Sequence, residues 1–134
     1  MKRKPTPKTV LLVEDDEDIV VTLSKRLESW GLRVVGALTG PEALAAMERA
    51  RPDVILLDLL MPGMSGIDVL EELRSRGAAP PVIVLTALPV RDARDALRLG
   101  ARGVLQKPVE PTVLRRDLDR ILAPHVGRAA RGSH

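Results

Sequence analysis

Carboxylates, one hydroxyl and one ammonium recur at a single kind of position in this chain, just beyond a short apolar run. Glu14-Asp15-Asp16 follows Val10-Leu-Leu-Val13, Asp58 follows Val54-Ile-Leu-Leu57, Thr86 follows Val82-Ile-Val-Leu85, and Lys107-Pro108 comes soon after Val104-Leu105. If the runs are parallel strands, these residues share one sheet edge, the edge at which open α/β sheets bind ligands. A single acidic residue after a strand is often only a helix cap, and Asp16 suits that role. The joint pattern is harder to reach by accident. Glu14, Asp15 and Asp58 set against Lys107 leave two excess negative charges in a confined space. Like charges at close quarters raise one another's pKa unless a cation intervenes. An all-oxygen donor set without Cys or His favours Mg²⁺, which keeps several of its waters and accompanies phosphate chemistry. An open position on such an ion, beside Asp58, would let a phosphoryl group bridge metal and carboxylate.

The elements that must hold these residues are legible from periodicity. Four apolar runs, the three just named and Val34-Val35, with Val104-Leu105 as a weaker fifth, suit strands covered on both faces of a parallel sheet. Between them lie helical patterns. Ile19, Leu23, Leu27 and Trp30 recur at steps of three and four, with Gly31 placed to stop the helix. Thr39-Gly-Pro-Glu42 reads as a capping box opening a helix through Leu44 and Met47. Ser65 is placed to cap a third helix carrying Ile67, Leu70 and Leu73, ended by Gly77. Asp92 to Leu99, closed by Gly100, makes a fourth, and Leu114, Leu118, Ile121 and Leu122 line one face of a fifth. Five alternations of strand and helix predict right-handed βαβ crossovers and a three-layer α/β sandwich.

Length and composition narrow the possibilities. The 134 residues suit one domain, and 45% hydrophobic with 29% charged residues is a globular balance. The absence of cysteine excludes a disulfide framework and thiolate metal sites. With His125 and His134 the only histidines, a histidine-rich zinc centre is excluded as well. No apolar run approaches the roughly 20 residues that span a bilayer, so no membrane role and a cytoplasmic location are expected. A formal charge of +3 invites a nucleic-acid reading, but its distribution opposes one. Lys2, Arg3, Lys4 and Lys8 supply four positive charges and Arg128 and Arg131 two more, leaving the body between them at −3. Basic tails are usually solvated, and no direct nucleic-acid contact is expected of this chain. Residues 1–7 read as a basic leader, 8–124 as the folded domain and 125–134 as a flexible tail, with Arg131-Gly-Ser-His134 resembling a tag remnant.

Taken together, Val13-Glu-Asp-Asp16, Asp53-Val-Ile-Leu-Leu-Asp58-Leu-Leu-Met-Pro-Gly-Met-Ser-Gly66, Thr86-Ala87 and Lys107-Pro108 resemble the receiver domain of two-component response regulators. The resemblance runs from about Lys8 to Ala123, with every motif in order. It implies a flavodoxin-like, five-stranded parallel sheet of order 2-1-3-4-5 with five helices, and phosphoryl transfer from a sensor histidine kinase or phosphotransfer protein onto Asp58. It further implies Mg²⁺ held by Asp15, Asp58 and the Leu60 backbone carbonyl, with Glu14 acting through a metal-bound water. Lys107 is implied to pair with Asp58 at rest and with a phosphoryl oxygen afterwards, and Thr86 to offer its hydroxyl to another. Ala87 is small enough to leave an access path, while Met61-Pro62-Gly63 and Gly66 shape the loop after the acceptor as a tight turn.

Three departures from the family pattern stand out. The switch position three residues before the lysine is Val104 where the family commonly has Tyr or Phe; a β-branched side chain is stiff at χ1, so switching is expected to rest on Thr86 and the loop after it. The tuning positions Leu60 and Leu88 are apolar, cannot hydrogen-bond an attacking water, and are expected to prolong the phosphorylated state. Arg102-Gly103 and Asp117 differ from the pattern of one DNA-binding subgroup, leaving a monomer or a weak phosphorylation-dependent dimer; Arg91, Asp92, Arg94, Asp95 and Arg98 read as a solvated face. The expected role is a receiver that catalyses only its own phosphorylation and dephosphorylation and switches binding of a downstream output protein or domain. The alternative is a module cut from a larger transcriptional regulator or hybrid histidine kinase. A binding-only pseudo-receiver is disfavoured by the intact acidic set. A haloacid-dehalogenase-like phosphatase needs a second Asp two residues after the first, where this chain has Leu60.

Overall fold

The three inner strands carry unbroken runs of four apolar residues because helices cover them on both sides. In the computed structural model, which describes residues 6–77 and 79–123, β1 (Thr9–Val13), β3 (Val54–Asp58) and β4 (Val82–Thr86) are buried at every position. The edge strands β2 (Arg33–Ala37) and β5 (Gly103–Gln106) are only partly covered, which explains their shorter apolar runs. All pairings are parallel and the order is β2-β1-β3-β4-β5. The predicted topology is therefore the observed one.

Alternate residues along each strand face opposite layers, as the two-residue period requires. Leu11, Val13, Ile55, Leu57 and Val84 pack with Ala43, Ala46, Val69, Leu70, Leu73 and Ala96 from α2 (Gly40–Ala50), α3 (Gly66–Ser75) and α4 (Arg94–Arg98). Val10, Leu12, Leu56, Ile83 and Leu85 pack with Leu27, Leu114 and Leu118 from α1 (Glu17–Ser29) and α5 (Pro111–Ile121). Across α1 and α5 the Arg115 guanidinium lies 5.4 Å from the centroid of the Trp30 ring, a cation–π contact at the C-terminal end of α1.

The caps show where local chemistry sets the element boundaries. Asp16 is the N-cap of α1, its carboxylate accepting from the Asp18 and Ile19 amides. Thr39 caps α2 by accepting from the Glu42 amide, but the Glu42 carboxylate accepts from Leu38, one residue before the cap. The reciprocal capping box expected there is instead formed at α3. Ser65 Oγ accepts from the Asp68 amide at 3.2 Å and the Asp68 carboxylate accepts from the Ser65 amide at 3.0 Å. The fourth helix is shorter than its pattern predicts: Val90–Ala93 winds as a 3₁₀ turn and only Arg94–Arg98 is α-helical. Pro89 lacks an amide and no side chain caps the turn, so nothing local favours a regular start. Arg91, Asp92, Arg94, Asp95 and Arg98 are exposed, as expected for a solvated face. Most of the basic leader and the tail from residue 124, including 131–134, lie outside the described residues.

Candidate functional site

Register alone brings the chemistry together. Val13 pairs with Leu57, so the next residues, Glu14 and Asp58, stand side by side at the ends of β1 and β3. Asp58 pairs with Leu85, Thr86 with Gln106, and Lys107 follows directly. The Lys107 amide donates to the Thr86 carbonyl at 2.7 Å and the Glu14 amide to the Ala37 carbonyl at 3.0 Å, continuing both ladders past the strand tips. The Lys107-Pro108 peptide bond is cis.

Glu14 and Asp58 are 1% and 3% exposed, whereas Asp15 faces solvent. One carboxylate oxygen from each of the three lies within 4.8 Å of the others. Lys107 Nζ donates to Glu14 Oε1 in a very short contact and lies 3.4 Å from Asp58 Oδ2. Lys107 therefore bridges both buried carboxylates, and its nearer partner is Glu14 rather than the expected Asp58. Strand order could not reveal this, because β3 lies nearer to β5 than β1 does; the contact depends on how far the lysine side chain reaches along the edge. Glu14 Oε2 also accepts from the Asp16 amide, and Asp58 Oδ1 accepts from the Leu60 amide at 3.1 Å. Thr86 is fully buried and its Oγ1 accepts from the Leu88 amide at 3.0 Å.

Burial pushes the Glu14 carboxyl above its ordinary value; the Lys107 and Asp16 hydrogen bonds offset this only partly, and the Asp58 charge adds to it. For Lys107 burial favours the neutral amine, but the Glu14 hydrogen bond and the charges of Asp58 and Glu14 together outweigh it and raise the ammonium pKa. Lys107 is thus the cation shared by two buried carboxylates, Glu14 and Asp58. The donor set suits a hard divalent cation, being all oxygen, largely preformed and overloaded with negative charge.

The remaining expected positions sit around this pocket. Ala87 is exposed, Leu88 half-buried, and Leu60 is 50% exposed beside Asp58. Val104 is partly buried against the α2–α3–α4 layer of the core. Gly66 is more than part of a tight turn. A Cβ there would lie 2.4 Å from the Asp58 carbonyl oxygen and 2.6 Å from the Leu59 Cα, and its amide donates to the Leu59 carbonyl at 3.1 Å. The start of α3 rests directly on the Asp58 and Leu59 backbone, a closeness that only glycine permits.

The family of response regulator receiver domains matches residues 10–119. The chain belongs to that family. This receiver domain is 40% identical over 121 residues to the probable transcriptional regulatory protein TcrX of Mycobacterium tuberculosis, covering 86% of this chain and 51% of TcrX. It is 39% identical over 105 residues to the alkaline phosphatase synthesis transcriptional regulatory protein PhoP of Bacillus subtilis, covering 78% and 44%. The receiver spans about half the length of these curated relatives. Among solved structures it is similar to a putative response regulator from Chloroflexus aurantiacus, with a TM-score of 0.83, 30% identity and coverage of 89% and 100%. It is also similar to the BeF3-activated N-terminal receiver domain of Klebsiella pneumoniae RstA, with a TM-score of 0.81, 28% identity and coverage of 87% and 100%. The chain is thus a receiver module of two-component signalling. Among the described residues no helix is long and apolar enough to cross a membrane.

Proposed function

We propose that the receiver takes a phosphoryl group onto Asp58 from a phosphohistidine of a sensor kinase or phosphotransfer protein, and that the modified state changes its binding of an output protein or domain. The observation that carries this reading is the buried Asp58 carboxylate, ion-paired to Lys107 and adjacent to Glu14 and Asp15. An Asp58 oxygen forms the new O–P bond as the donor's P–N bond breaks, and the electron pair leaves with the imidazole nitrogen, which takes up a proton. A carboxylate is a weak nucleophile, so positioning and charge neutralisation must supply the rate. The Leu60 amide on Asp58 Oδ1 fixes the carboxylate rotamer, leaving Oδ2 toward Lys107. Lys107 follows the negative charge from carboxylate to phosphoryl oxygen, and the Thr86 hydroxyl, which accepts from the Leu88 amide, donates its hydrogen to another phosphoryl oxygen. Asp15, Asp58 and the Leu60 carbonyl would hold Mg²⁺, with Glu14 through a water. When bound, Mg²⁺ supplies Lewis-acid stabilisation of the transferring group and offsets the excess carboxylate charge.

The apolar side chain of Leu60 at the second position after Asp58 disfavours a dehalogenase-like phosphatase. The length of the relatives and their printed names favour a place within a larger transcriptional regulator. Incubation with acetyl phosphate and Mg²⁺, followed by intact mass measurement, tests the reading. Wild type is expected to accumulate one phosphate and Asp58→Asn none. Rapid turnover without accumulation supports a phosphatase, and absence of reaction supports a binding-only module.

A further inference from the structure

Gly40, the first residue of α2, is buried, and a Cβ there would lie 2.8 Å from each of Cβ, Cγ and Sδ of Met64. Real Cβ atoms essentially never approach so closely, so Met64 occupies the volume that any other residue at 40 would fill. Met64 belongs to the segment between Asp58 and α3. That segment is tied at its end by the Gly66 amide on the Leu59 carbonyl and by the Ser65–Asp68 capping box. Near its start is Leu60, whose side chain is exposed and whose amide holds Asp58 Oδ1. The start of α2 is itself anchored, with Thr39 accepting from the Glu42 amide and the Glu42 carboxylate accepting from Leu38.

We infer that Met64, seated in the notch left by Gly40, is a positioning residue for the phosphoacceptor. It clamps the loop after β3 to the start of α2 so that the Leu60 amide stays on Asp58 and the carboxylate keeps one rotamer. Gly40 is thus required for the space it leaves, rather than for backbone freedom. The inference rests on the proposed phosphorylation of Asp58, and its test carries one readout that needs neither phosphate nor metal.

The experiment is a double-mutant cycle with Gly40→Ala and Met64→Gly. Alanine favours helix at position 40, and Met64→Gly removes all three crowding atoms. In the wild-type background Gly40→Ala is expected to shift the Leu60 amide resonance, measured without Mg²⁺. It should also lower the initial rate of acetyl-phosphate labelling at saturation by about tenfold, within the range a sub-ångström misplacement produces. In the Met64→Gly background the same change should move both by less than about twofold, because interacting sites are non-additive. Equal costs in both backgrounds overturn the inference, as does an unchanged Leu60 amide or an amide shift without a change in rate. Should Gly40→Ala fail to fold by circular dichroism, Met64→Ala alone decides: an unperturbed Leu60 amide and an unchanged rate refute the clamp. If wild type takes up no phosphate, the phosphoacceptor reading fails, while the amide readout still tests whether Met64 on Gly40 holds the loop.

Discussion

Replacing Lys107 with methionine isolates the charge imbalance in the pocket. The ammonium lies 3.4 Å from Asp58 Oδ2, and one such pair is worth about 5 kcal/mol gross at an effective dielectric of about 20. Most of that gain is offset by desolvation, but desolvation of Glu14 and Asp58 remains when only the lysine is removed. Breaking one side of a buried pair costs about 3–5 kcal/mol. The Lys107 side chain is 20% exposed, so water reaches it, and we expect Lys107→Met to lose about 2–3 kcal/mol in urea unfolding followed by far-UV circular dichroism. The pH dependence has a definite sign. The folded Glu14 carboxyl titrates above its unfolded value and higher still without the ammonium, so its contribution is present at low pH and lost as pH rises through the folded pKa. The deficit of the variant should therefore widen as pH rises above the ordinary carboxyl value of 4.5, and Mg²⁺ should narrow it. A loss below about 0.5 kcal/mol, the range of exposed pairs, or a deficit that Mg²⁺ enlarges, would refute the reasoning.

Three further outcomes follow from the same geometry. Leu60→Asn combined with Leu88→Glu should accelerate decay of the phosphorylated protein by about tenfold, as a positioned proton acceptor typically contributes at least that much; an unchanged decay rate by intact mass refutes the shielding role. Val104→Ala should leave phosphorylation-induced amide shifts in α4 nearly intact while Thr86→Ala suppresses them, and equal losses would restore a relay through position 104. Glu110 caps α5 by accepting from Thr112 and Val113, and the Thr112 amide holds its pKa below the ordinary 4.5. Its stabilising effect is present above that value and lost as pH falls through the lower folded pKa. Glu110→Gln should accordingly flatten the acid limb of a thermal-unfolding pH profile, which an unaltered limb would contradict.

The strands were legible because both faces of a parallel sheet are dry, so Val10–Val13, Val54–Leu57 and Val82–Leu85 had to be continuous apolar runs. The site followed from them, since whatever comes after three such strands converges at one edge. Interactions set by tertiary approach were not legible. That Lys107 meets Glu14 first, that Asp68 completes the cap of Ser65, and that Gly66 and Gly40 serve as contact surfaces all depend on distances between elements. The fourth helix was over-read because Ala93, Ala96 and Leu99 keep a helical period through a turn that winds as 3₁₀. Periodicity marks the buried face without fixing the hydrogen-bond pattern.

The stacking of Arg115 on Trp30 has a practical consequence for optical work. With neither tyrosine nor phenylalanine in the sequence, the lone indole is the only source of near-ultraviolet emission. It sits beyond the far end of a 13-residue helix, roughly 20 Å along the axis from the acidic loop at 1.5 Å per residue. Emission intensity will therefore report whether the first and last helices stay clasped, and will be almost blind to events among the carboxylates. Titrations at the pocket are better followed with a label or nucleus placed there.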